Sequence, residues 1–121
     1  MAALDRYSGP WTERQAAHLL RRASFGANPK QIKKATADGL VATIDNLFKA
    51  RPLPKEPVDP ETGLVWLDGG DGYNLMKGPQ YYNMVSKAWW VGLMINEEPH
   101  IREKLTLFWQ NHFATESEVV G

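Results

Sequence analysis

Three histidines, His18, His100 and His112, are the side chains of this 121-residue sequence best suited to proton transfer or metal binding. A catalytic zinc site takes about three ligands of the His, Asp or Glu type. No two of these histidines have the i, i+4 spacing that puts a pair on one helix face. His112 has that spacing with Glu116, although the helix carrying it is expected to end near Thr115, and further ligands would have to come from distant segments. His112, His18 and Glu116 are therefore the candidates for a metal-dependent or general-base hydrolase. The plainer expectation for His112 is a core histidine bonded to a backbone group or carboxylate. There is no Cys, hence no disulfide, thiolate site or Cys nucleophile. No GxSxG, phosphate loop or dinucleotide fingerprint is present. Asp68-Gly69-Gly70-Asp71-Gly72 has the look of a calcium loop but lacks the alternating ligands and closing Glu, so turn chemistry accounts for it better. No metal or cofactor is expected, and whether the chain is an enzyme is left open.

Two further chemistries are weighed from charge and aromatic content. Lys+Arg and Asp+Glu are both 14, which excludes a binder of nucleic acid or membranes driven by net charge. Residues 1–50 nevertheless carry 8 basic and 4 acidic side chains, and the remainder 6 and 10. Between Arg14 and Lys34 the bases are Arg14, Arg21, Arg22, Lys30, Lys33 and Lys34. A phosphate-binding patch is one reading. A solvated face, or one paired with the acidic half, is preferred, because no aromatic residue interleaves for nucleotide stacking. Five Trp and four Tyr could build a sugar platform, with Trp66, Tyr73 and Trp90 exposed in a row. Core packing is the commoner use of such rings.

The elements that must position these residues are helical. Thr12-Glu13-Arg14-Gln15 has the capping-box pattern, and Ala16, Leu19, Leu20 and Ala23 recur at helical spacing, with Arg14, His18, Arg21 and Arg22 on another face. Gly26 is placed to end that helix in a left-handed conformation. Asn28-Pro29 reads as N-cap and first position of a second helix, with Ile32 and Ala35 inward and Gly39 as its stop. Leu40, Ile44, Leu47 and Phe48 outline a third, closed before Pro52. Residues 51–79 contain ten Pro or Gly, which forbids a long helix; Leu64–Leu67 and Tyr73–Met76 could form a small hairpin around 68–72, pinned by Trp66, Tyr73 and Met76. Residues 80–96 are apolar on most of their circumference, the pattern of a buried helix, and Ala88 with Gly92 would let another helix approach closely. Pro99 opens the last helix, whose stripe is Ile101, Leu105, Phe108 and His112, broadened by Trp109 and Phe113.

The expectation is an all-α fold of about five helices: 12–50 with helices one to three, 51–79 an irregular loop, and 80–115 two apolar helices. It forms a single helical domain or the N-terminal segment of a larger one. The longest apolar run, Ala88 to Ile95, is short of the ~20 residues that span a bilayer. No signal peptide is visible, so the cytoplasm is the default location. The last two helices are too apolar for the chain they sit in. Their surface is expected to be covered by the remainder of a natural chain or by a homo-oligomer.

Two segments carry a resemblance. His18-Leu19-Leu20-Arg21-Arg22-Ala23-Ser24-Phe25-Gly26, followed by Asn28-Pro29, and Lys104-Leu105-Thr106-Leu107-Phe108-Trp109-Gln110-Asn111-His112-Phe113-Ala114-Thr115 resemble the two hallmarks of the bacterial family recorded as domain of unknown function 1800. The resemblance spans nearly the whole chain but only the first part of the family's usual length. It implies a mostly helical bacterial protein without established activity, often encoded beside a second uncharacterised exported protein. It marks Arg21, Arg22, Phe25, Gly26, Trp109 and His112 as motif residues and supplies no catalytic ones. Gln110 departs from the pattern, standing where the family usually has histidine. Residues two apart on a helix point ~200° from one another, so a His-x-His pair there could not easily grip one ion. A structural Arg21 or Arg22 is expected to bond carbonyls or carboxylates of the last helix. The leading functional expectation is a scaffold or interaction module of a larger protein.

Overall fold

The computed structural model describes residues 6–67, 70–96 and 98–113. Among them are helices α1 (Glu13–Ala23), α2 (Pro29–Phe48), α3 (Gly78–Asn96) and α4 (Arg102–His112), a short 3-10 helix at Leu75–Lys77, and no sheet. The all-α class is thus confirmed. None of the described helices is long and apolar enough to cross a membrane. The described residues form two compact units, one containing α1, α2 and α4 and the other comprising 50–67 and 70–96.

In the first unit, Ala16 and Leu20 of α1 meet Ala35 and Leu47 of α2 in one buried cluster, with Trp11, Leu19, Ala23, Ala27 and Ile32 packed around it. The second and third expected helices run together as α2, which reduces the count from five to four. Gly39 is nonetheless non-helical inside it, with φ 86° and ψ 166°, and kinks it there. That backbone region is nearly exclusive to glycine. At the kink the Ala35 carbonyl accepts from Trp11 Nε1 at 3.0 Å and Thr43 Oγ1 at 3.1 Å. Beyond the kink, Thr43 and Leu47 face the core, whereas Phe48, expected inward, is exposed. Thr43 tolerates burial because its hydroxyl also reaches the Gly39 carbonyl, at 2.7 Å. A Cβ added at Gly39 would point into open space, so Gly39→Ala meets no side chain. Its cost is backbone strain, expected at about 1–3 kcal/mol by thermal melting.

The helix ends differ from one another. Asn28 forms a complete capping box: its side chain accepts from the Gln31 amide at 2.9 Å, and Gln31 Oε1 accepts from the Asn28 amide at 2.8 Å. The box expected at Thr12 does not form, because the Thr12 hydroxyl donates to the Gln15 side chain instead of accepting from its backbone. Nor does Gly26 close α1. Ser24 does so, its amide bonding the Leu20 carbonyl at 2.9 Å and its buried hydroxyl lying 2.7 Å from the same oxygen. Gly26 follows with φ 149°, outside the left-handed helical range.

In the second unit the hairpin falls elsewhere than expected. Val58 and Val65 form an antiparallel bridge around a turn in which the Asp59 amide donates to Leu64 O and the Gly63 amide to Asp59 O. Residues 73–76 are not a strand: Asn74 caps the 3-10 helix by accepting from the Met76 amide at 2.9 Å. Gly72 crosses so close to residues 64–65 that a Cβ on it would lie 2.4 Å from the Leu64 carbonyl oxygen. The loop is pinned through Tyr82 of α3. Trp66 and Tyr73 pack on that ring at 4.7 and 4.9 Å, and its hydroxyl accepts from the Asn74 amide at 2.6 Å. Met76 takes no part, being 95% exposed. The expectation of a buried α3 is also corrected. Only Tyr82 and Val85 are buried, Met84, Val91 and Ile95 are exposed, and the space over Gly92 is open.

Candidate functional site

Side chains with chemical potential collect in three places. The first is a cleft of about 1250 Å³ in the first unit, lined by the segment before α1, the polar face of α1 and the second half of α2. Arg14, His18, Arg21 and Arg22 recur on one face of α1 because its opposite face, Ala16, Ala17 and Leu20, is buried. Leu40, Val41, Ile44 and Asp45 of α2 form the other wall. Of the six basic residues noted between Arg14 and Lys34, the lysines are not part of this wall, and Lys34 pairs with Asp38 along α2.

Arg21 and Arg22 are exposed, and neither side chain makes a hydrogen bond or ion pair among the described residues. The expected bonds to the last helix are absent for a geometric reason: both side chains leave α1 on its solvent face. Arg21→Ala and Arg22→Ala are accordingly expected to change stability by less than about 0.5 kcal/mol each, as read by denaturant titration.

The second place is α4. Its rings form a continuous run: Phe108 and Trp109 at 5.2 Å, Trp109 and Phe113 stacked at 5.6 Å, and His112 edge-on to Phe113 at 4.8 Å. Leu105, Phe108, Trp109 and Phe113 are 42, 57, 51 and 67% exposed. His112 is exposed among them, not in a core, and it does not line the cleft that holds His18. Glu116 lies outside the described residues, as do Ala114 and Thr115 of the second motif. Among the described residues no three His, Asp or Glu side chains are grouped to hold a metal ion.

His100 has a structural position. Its Nδ1 accepts from the Arg102 amide at 3.0 Å, which leaves Nε2 to carry the proton and donate to Lys49 O at 2.9 Å. With the Ile101 amide bonding Leu47 O at 3.2 Å, this fastens the start of α4 to the end of α2. The two sequence motifs meet in the same unit, where Lys104 Nζ sits 4.9 Å over the Phe25 ring.

The third place, missed in the sequence, is a charge cluster in the second unit. Asp59 is fully buried. Its Oδ1 accepts from the Glu61 amide at 2.8 Å, while its Oδ2 accepts from Lys77 Nζ at 2.7 Å. Lys77 also pairs with Glu61 at 2.8 Å and lies 4.5 Å over the Tyr81 ring. The Lys77 ammonium, helped by the amides of Glu61 and Thr62, holds the Asp59 carboxyl below its usual 3.8 against the opposing effect of burial. Asp59 and then Glu61 raise Lys77 above its usual 10.5. The only hint in the sequence was Asp59-Pro60, a turn-initiating pair inside the Pro-rich stretch. Of the rings considered for sugar binding, Tyr73 is exposed while Trp66 and Trp90 are half-buried.

A family model described as Protein of unknown function (DUF1800) matches residues 18–121, a stretch that contains both motifs. The chain belongs to this family. No curated protein and no solved structure matches it. Within this DUF1800 chain, then, the first motif supplies the α1 wall of the cleft and the Ser24 closure. The second supplies the exposed rings of α4.

Proposed function

We propose that this chain is a helical scaffold or interaction module whose apolar helix faces are covered by further protein, either the remainder of a longer natural chain or a second copy. The observation that carries this reading is α4. Leu105, Phe108, Trp109 and Phe113 repeat at i, i+3, i+4 and i+8, so they form one stripe, and all four are exposed. Contiguous apolar surface of this kind marks interaction sites on soluble proteins. Met84, Val91 and Ile95 repeat the pattern on α3. The hydrolase alternative pairing His112 with His18 draws no support from the cleft, which His18 lines and His112 does not.

Sedimentation equilibrium with melts at two concentrations tests the proposal. Self-association, with a melting temperature that rises with concentration and falls back on Phe108→Ser or Trp109→Ser, is the expected result. A monomer with a concentration-independent, cooperative melt, unaltered by either substitution, would overturn coverage by a second copy.

A further inference from the structure

The cleft beside α1 is chemically unlike the α4 stripe. Arg6, Arg14, Arg21 and Arg22 line it, and Asp45 is the one carboxylate among its lining residues. None of these four arginines is paired with a carboxylate among the described residues, so each retains its full set of donors. Like charges gathered in one concavity repel one another, and a bound anion relieves that repulsion. The guanidinium fork matches the oxygens of a carboxylate or phosphate in bidentate geometry.

Beside Tyr7, Gln15 and His18, the lining has an aliphatic part. Leu19 and Leu40 are half-buried, and Val41 and Ile44 are open to the cleft, with Val41 72% exposed. The indole N–H of Trp11 is already committed to the Ala35 carbonyl and is not free to read a ligand. A bare anion would leave the aliphatic wall wet, and a neutral apolar molecule would leave the arginines unpaired. A volume of about 1250 Å³ is also far more than a head group needs.

We infer that the cleft binds a single-chain anionic amphiphile: a phosphate or carboxylate head held by Arg14, Arg21 and Arg22, with an alkyl chain laid along Leu40, Val41 and Ile44. The ligand is taken as a monomer from solution, not from a bilayer face. The inference is independent of the scaffold reading, since no α4 residue lines the cleft.

Titration calorimetry of the whole chain with dodecyl phosphate, below its micelle-forming concentration, is the test. Saturable one-to-one binding is expected, with inorganic phosphate and uncharged dodecyl maltoside both at least about tenfold weaker. Arg14→Ala and Arg21→Ala should each lower affinity about tenfold. Val41→Asp, which adds a carboxylate at an exposed position, should lower it further, and higher salt should weaken all of these complexes. Circular dichroism of each variant checks that its helices are intact. Equal affinity for the uncharged analogue, or arginine variants that bind like the parent, would overturn the inference. So would binding lost on Phe108→Ser, which would place the chain on α4. Binding confined to vesicles of phosphatidylglycerol, with none to the monomer, would overturn it in favour of a membrane-facing surface.

Discussion

Leu47→Ala is expected to destabilise the helical unit by about 2–5 kcal/mol, most of what holds a small unit together. Leu47 is 2% exposed and closes the cluster formed with Ala16, Leu20 and Ala35. Two of those neighbours are alanines, which have no rotamer with which to fill the space a missing isobutyl group leaves. The loss therefore combines transfer free energy with a cavity that cannot collapse. The carbonyl of the same residue accepts the Ile101 amide, so movement of the α2 backbone would also loosen the start of α4. Urea titration followed by helical circular dichroism measures the effect. Leu47→Met, close in volume, should recover most of it. A loss for Leu47→Ala below about 1 kcal/mol would show that the cluster is not the core of this unit.

Asp59→Asn is expected to unfold the second unit at markedly lower temperature, the largest effect of any substitution there. The change leaves Lys77 without its closest partner and puts a neutral amide against an ammonium inside the fold. Three of the five Trp, Trp66, Trp89 and Trp90, lie in this unit, so most of the tryptophan fluorescence change reports on it. The double variant Asp59→Asn with Lys77→Met should be more stable than Asp59→Asn alone, because it also removes an ammonium left with only the exposed Glu61 as its ionic partner.

The pH dependence has a definite sign. Asp59 is held below 3.8, so its contribution is present above that value and is lost as pH falls below about 4 through the lowered folded-state value. Lys77 is raised above 10.5, so its contribution is complete below that value and is lost only as pH climbs beyond it. The second unit should therefore hold a stability plateau between about 4 and 10.5, with an acid limb that Asp59→Asn flattens. An acid limb identical in parent and variant would show that Asp59 does not carry it.

Much of the first unit was legible because its cues are local. Asn28-Pro29-Lys30-Gln31 specifies a capped helix start within four residues, and the period of Ala16, Leu20 and Ala23 specifies the buried side of α1. Gly39 was rightly marked as a break, yet whether a break ends a helix or only kinks it depends on contacts. Trp11, 24 residues away, joins Thr43 at the Ala35 carbonyl, and α2 continues past the glycine. The inward face after the kink followed Thr43 and Leu47 instead of Leu47 and Phe48 for a related reason. A hydroxyl that finds a backbone acceptor can be buried, and no hydropathy pattern registers that acceptor. In the second unit the turn was displaced because Asp59 receives Lys77 from 18 residues away. A lone acid among prolines carries no mark of such a partner.

By itself the sequence determined the helical class, the capped start of α2, the two motifs and the surplus of apolar surface, since each rests on residue type and spacing within a few turns; the last helix begins at Arg102 and not at Pro99. Tertiary structure alone decided that His100 is a clasp between two backbones, that His112 stands among exposed rings, that Arg21 and Arg22 face a cleft, and that Asp59 is a buried anion. These depend on distances between residues far apart in the chain, and on which face each helix leaves uncovered once its core side has been used.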